Sequence, residues 1–252
     1  MWPPRSSTSN RRRALVIAAW SACAPGCHEP EPDDEVTPIE PFEVEPTCVP
    51  PAGVSNAPQS IDEVVALVGA LPMPVTLPCL LEVLARPLHV VASTSPFSAQ
   101  PTEATDNPRL FLLGPQLVMT VLPEGDGAEV LELAQYVEPG QSIKAEIEFP
   151  VTEPLAPADP YDHVLLGGVA SCGLCHDGQR QGEAIDGVPT YVSKALAPNP
   201  QRRISLAFVE QHARDCDPQA DAVRCGVLRA VFGHGEVGAG SFVDGTEVCA
   251  DP

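Results

Sequence analysis

The chain has 252 residues, of which 44% are hydrophobic, enough material for one large domain or two small ones. Its formal charge is −20, from 34 acids against 14 bases. A surface of that sign repels nucleic acid and anionic lipid headgroups, so basic patches, cations or redox proteins are the partners to expect. Thirty prolines exclude a helical bundle and predict long irregular stretches.

In chain order, residues 1–22 read as an export signal. Arg11-Arg12-Arg13 forms the charged region, and Ala14 to Trp20 is an apolar run too short to span a bilayer. Small residues Ser21-Ala22 precede Cys23. This arrangement resembles the lipobox of bacterial lipoproteins, although Trp20 stands where a leucine is usual. The resemblance implies that Cys23 is acylated and that the protein sits in the cell envelope, held to the membrane by a lipid anchor alone. Cys27 is a weaker rival for that role. Residues 23–59 then read as a tether. From Glu29 to Pro58 there are eight prolines and eight acids, and no lysine or arginine occurs between Arg13 and Arg86. Such a segment repels itself and extends.

Residues 60–153 predict a β-rich module with two helices at its start. Ser60 and Glu63 form a capping-box pattern ahead of Ile61, Val64, Val65 and Val68 on one face. A second short helix is expected from Pro78 to Arg86. Apolar runs at 88–93, 109–113, 117–122 and 130–137 read as strands. The clearest strand alternates Ile143, Ala145, Ile147 and Phe149 with Lys144, Glu146 and Glu148. Five strands in series suggest an antiparallel sheet or small sandwich. The acids of this region fall at alternating or loop positions, which predicts a solvated face and not a catalytic acid pair.

Residues 159–252 predict a small helical module. A short helix is expected over Tyr191–Leu196, a stronger one from a Ser205 cap to about Cys216, and another from Asp221 to Phe232. The first of the two long helices puts Phe208, Val209, His212 and Cys216 on one face. The second turns Val223, Val227, Leu228 and Val231 inward, and Gly233 ends it. The short connection makes these two an antiparallel hairpin, which brings Cys216 and Cys225 within reach of a disulfide. The expected fold class is therefore α+β, an antiparallel β-rich module followed by a helical one.

At the head of the last region stands Cys172-Gly173-Leu174-Cys175-His176, a CxxCH motif in a chain that reads as exported. Thioredoxin-like chemistry would place a CxxC after a parallel strand in an alternating βαβ pattern, which the sequence lacks. A zinc site would need further paired ligands, and Cys216 and Cys225 are not so spaced. The motif resembles that of the c-type cytochromes. The resemblance covers few residues and implies one covalent haem c, with thioethers from Cys172 and Cys175 and the proximal nitrogen from His176. No methionine follows the motif, so the candidate sixth ligands are His212 first, then His163 and His234; Met119 would have to come from the β-rich region. A second histidine would lower the potential relative to methionine, and an open sixth site would permit ligand sensing. With Cys172 and Cys175 on haem and Cys23 on lipid, six of the nine cysteines remain, an even set that can pair fully in an oxidising compartment.

These readings point to an exported monohaem electron carrier, or a redox or ligand sensor on the same haem, more an electron carrier than an enzyme. Its partner would be a redox protein that the sequence does not identify. The competing class is a non-enzymatic envelope lipoprotein stapled by disulfides that binds another surface component. No hydrolase, nucleotide or metalloprotease motif is present.

Overall fold

The computed structural model describes residues 42–96, 98 and 100–249. The signal segment, Cys23, Cys27 and most of the acidic tether therefore lie outside the described residues. The described chain belongs to one compact unit of α+β class. In order it comprises α1 (Ile61–Ala70), α2 (Leu77–Val83), β1 (Leu88–Ser93), β2 (Arg109–Leu113), β3 (Leu117–Val121), β4 (Val130–Glu138) and β5 (Gln141–Glu148). There follow α3 (Asp159–Asp162), β6 (Leu165–Leu166), β7 (Val169–Ala170), β8 (Arg180–Gln181), β9 (Tyr191–Lys194), β10 (Leu196–Ala197) and β11 (Arg203–Ile204). Last come α4 (Leu206–Asp215), α5 (Ala222–Phe232), β12 (Val237–Ala239) and β13 (Glu247–Val248).

Local chemistry explains the helix starts. Ser60 accepts the Glu63 backbone N–H through its hydroxyl, and the Glu63 carboxylate takes the Gln59 N–H, one residue earlier than in the usual reciprocal box. Thr76 caps α2, with Pro78 in its first turn, and Asp221 caps α5. Ser205 stands at the N-cap of α4, but its hydroxyl accepts no capping bond.

The main sheet runs β11-β1-β2-β3-β4-β5-β9-β8, and β12 joins β1 as its one parallel neighbour. One face carries Val90, Leu110, Leu112, Met119, Val121, Leu131, Leu133, Ala145 and Ile147. These pack with α1, α2 and α5 and with Val209 and Ala213 of α4 into the core. The period-2 pattern of the five strands is what directs these residues to one side. Burial of such side chains, each contributing about 1.5–3 kcal/mol, is the main source of stability.

The structure departs from the expected division at 153–159. The later region is not a separate helical module, because β8, β9, β11 and β12 extend the sheet begun by β1–β5. Tyr191–Lys194, expected as a helix, is a strand paired with β5, with Ser142 opposite Ser193 and Ile143 opposite Val192. The edge of β5 offers unpaired backbone groups, and a Tyr-Val-Ser segment suits a strand better than a helix. The tether is also shorter than the expected 23–59. Val44 donates to the Gly233 carbonyl, and Thr47 and Cys48 donate to the Glu82 carboxylate. Cys48 is bonded to Cys79, so this stretch is fixed to the body. Cys216 and Cys225 form the hairpin disulfide, with Cα atoms 5.5 Å apart. Val223, expected inward, is 48% exposed.

Candidate functional site at the CxxCH turn

The face of the sheet opposite the helices carries Arg109 on β2, Thr120 on β3, Glu132 on β4, and Ser142, Lys144 and Glu146 on β5. Their register places Thr120 beside Glu132 and Glu132 beside Glu146. This face was expected to be solvated. Instead Arg109, Thr120, Ser142 and Lys144 are buried. Three segments cover it. The loop before β2 supplies Ser98 and Gln100, whose oxygens accept from Arg109 at 2.9 and 2.7 Å. The C-terminal stretch lays Phe242 edge-on to Phe111 and Thr246 against the Tyr136 hydroxyl. The third cover is the turn that carries the CxxCH motif.

That turn is set up by its flanks. The β6–β7 hairpin reverses at Gly167-Gly168, both with positive φ, as a two-residue turn of this kind requires. The Ser171 N–H closes the hairpin on the Val164 carbonyl. Residues Ser171–Leu174 wind into a 3₁₀ turn, and the N–H groups of Cys175 and His176 both point back to the Cys172 carbonyl. Both thiols and the imidazole therefore spring from a single helical turn. Lys194 then locks the turn onto β9: its N–H donates to Asp177 O at 3.1 Å, and its carbonyl meets His176 Nδ1 at 2.8 Å.

Cys172 and Cys175 are thiols and are not joined to each other. Cys175 is exposed. Burial pushes the Cys172 thiol up to about 11, helped by Glu146 and Glu132 and opposed by Lys144 and the Ser171 hydroxyl. His176 is pushed down to about 4, first by burial and then by Lys144, against the bond to the Lys194 carbonyl. Lys144 falls to about 8, chiefly through burial. Glu146 rises to about 7 through burial and the neighbouring Glu132, with Arg109 opposing. The Glu132–Glu146 acid pair was discounted in the sequence because alternation identifies a face without revealing what covers it. Arg109 forms an ion pair with Glu132, one member of that pair.

Burial thus disfavours ionisation of the Cys172 thiol and weakens it as an attacking group. No cluster of three metal-ligating side chains occurs among the described residues. The residues do fit the attachment end of a haem c. The donor set is two thiols and an imidazole, and an Nδ1–H donated to a backbone carbonyl leaves Nε2 as the free lone pair for a metal.

The candidate sixth ligands are not brought together with this turn equally. His212 lies on α4, edge-on to Phe208 with ring centroids 4.5 Å apart, in a helix whose inner residues Val209 and Ala213 join the core. His234 pairs with Glu82 of α2 at 3.0 Å. Both belong to the helix side, with the sheet between them and the CxxCH turn, so neither can reach the iron that His176 would hold. Met119 points into the same core. His163 is different: it is exposed, follows α3, and directly precedes Val164, the residue bonded to Ser171. The Cys216–Cys225 bridge therefore steadies the hairpin without placing His212 beside the motif.

No helix among the described residues is long and apolar enough to cross a membrane. No protein-family model, curated protein or solved structure matches the chain.

Proposed function

We propose that this protein is an exported monohaem carrier of c type, acting in electron transfer or in haem-based redox or ligand sensing. The observation that carries the reading is the His176 Nδ1 bond to the Lys194 carbonyl, made from the same helical turn that bears two thiols. A bound haem would supply a one-electron couple. Cys172 and Cys175 would hold it through thioethers, each S–H adding across one vinyl C=C with no oxidant consumed. His176 would ligate its iron through Nε2, and the Lys194 carbonyl, accepting from Nδ1–H, holds the tautomer that leaves Nε2 free.

Two disulfides, Cys48–Cys79 and Cys216–Cys225, support an oxidising compartment and hence export. Acylation of Cys23 and an envelope location held by a lipid anchor complete the reading. A redox protein is the expected partner. Of the three histidines considered as sixth ligands, His163 is the one the fold leaves eligible; otherwise the position is open to an external ligand.

The test is expression of the full chain with haem-maturation factors, followed by a denaturing gel stained for haem peroxidase. A stained band lost in Cys172→Ala, Cys175→Ala double variants is expected. An unstained wild-type band would overturn the reading and favour a disulfide-stapled envelope lipoprotein without haem.

A further inference from the structure

Lys144 is an unusual residue to find under this turn. It is 7% exposed, and its ammonium donates to Ser142 Oγ at 2.6 Å and to the Lys194 carbonyl at 3.2 Å. That carbonyl is the one His176 Nδ1 uses at 2.8 Å. One acceptor oxygen thus serves both a buried cation and the imidazole.

We propose that Lys144 is a positioning residue that sets the electron-donating strength of His176, and through it raises the reduction potential of the haem. This rests on the haem reading above. A carbonyl that accepts strongly from Nδ1–H draws the proton away, gives the ring imidazolate character and strengthens donation from Nε2, which favours ferric iron. An ammonium on the same carbonyl takes up part of its acceptor capacity and leaves the imidazole a weaker donor. The buried positive charge itself also disfavours the extra charge of the ferric state, and the low dielectric makes that effect larger than in water. The two effects have the same sign. Ser142 holds the ammonium in place, and Lys144 is tied by its position on β5 to the strand pairing with β9 that presents the Lys194 carbonyl.

The experiment uses the full haem-loaded chain and compares wild type with Lys144→Met and Lys144→Gln, both of which are unbranched at Cβ, one heavy atom shorter than lysine, and uncharged. Arg180→Gln is the control: it also removes one positive charge, but from an exposed pair with Glu138 at 2.7 Å. Redox titration should give a lower midpoint potential in both Lys144 variants and a near wild-type value in Arg180→Gln. Resonance Raman of ferrous protein should show the iron–histidine stretch moved to higher frequency in the Lys144 variants. Two substitutions guard against the failure of one to fold, and the stretch reports on His176 without depending on any activity. Potentials of the Lys144 variants that match Arg180→Gln, with an unmoved stretch, overturn the proposal while leaving haem attachment intact. A wild type that carries no haem removes the haem reading first, and this inference with it.

Discussion

The face of the sheet that carries Leu110, Leu131 and Ile147 and the face that carries Arg109, Glu132 and Glu146 are both covered, by different chemistry. The first is closed by α1, α2, α4 and α5 through interdigitating aliphatic side chains. The second is covered by irregular segments held through hydrogen bonds and a ring pair, over an Arg109–Glu132 ion pair that lies within the sheet face itself. Both disulfides lie on the helix side, tying the segment that carries Cys48 to α2, and the end of α4 to α5. Stability is concentrated on one face and candidate chemistry on the other. That separation lets the CxxCH turn hold perturbed groups without drawing on the packing that keeps the fold together.

The comparison can be broken first at the core. Leu131→Ala, at a fully buried position on β4, should cost about 2–5 kcal/mol in chemical denaturation. A loss below 1 kcal/mol would mean that the helix side is not the main source of stability. Next come the staples. Replacing Cys48 and Cys79 by serine should cost about 3.7 kcal/mol, and replacing Cys216 and Cys225 about 2.6 kcal/mol, because the first bridge closes a separation of 31 residues and the second only 9. Equal losses would show that loop entropy in the unfolded chain is not what the bridges act on.

On the polar face the dominant single effect should come from charge. Arg109→Met leaves Glu132 facing Glu146 without its cation. We expect about 2–3 kcal/mol, below the usual cost of breaking a buried pair because Glu132 is 27% exposed. Adding Glu132→Gln should restore most of that loss, which a purely steric role for Arg109 would not allow.

The smallest effect has an unusual sign. The Glu146 carboxyl is raised to about 7 from its ordinary 4.5, so between those values the folded protein binds more protons than the unfolded chain. Its contribution to stability falls as pH rises through that window. Glu146→Gln should therefore match wild type near pH 4.5 and be more stable by about 1–2 kcal/mol at pH 8, after allowing for partial solvent screening. Thermal melts at the two pH values check it, and a difference that does not change with pH would count against the assignment.

Much of the helix side was legible in the chain. Capping residues Ser60 and Asp221, the proline in α2, and the alternation of Ile143, Ala145 and Ile147 each act within a few residues, and each appears close to where the pattern placed it. The Cys216–Cys225 bridge was legible for the same reason, since a nine-residue separation across a helical hairpin constrains its own geometry. What covered the other face was not legible. Lys144 and Glu146 have the spacing of solvated residues, and only long-range pairing of β9 with β5 brings the CxxCH turn over them. Tyr191–Lys194 was misassigned for a related reason, because four residues carry too little periodicity to separate strand from helix without knowing that an open sheet edge lies beside them.

The α+β class, the strand spacing, the Cys216–Cys225 bridge and the crowding of two thiols and an imidazole into Cys172–His176 are all readable from the chain alone. Those features depend on period, composition and short separations, which a linear chain states directly. The tertiary fold settles that His212 and His234 lie on the helix side of the sheet, and that Lys144 and His176 share one carbonyl. Those depend on which side of a sheet each segment crosses, and a period-2 pattern marks the two sides as different without saying what will come to lie on either.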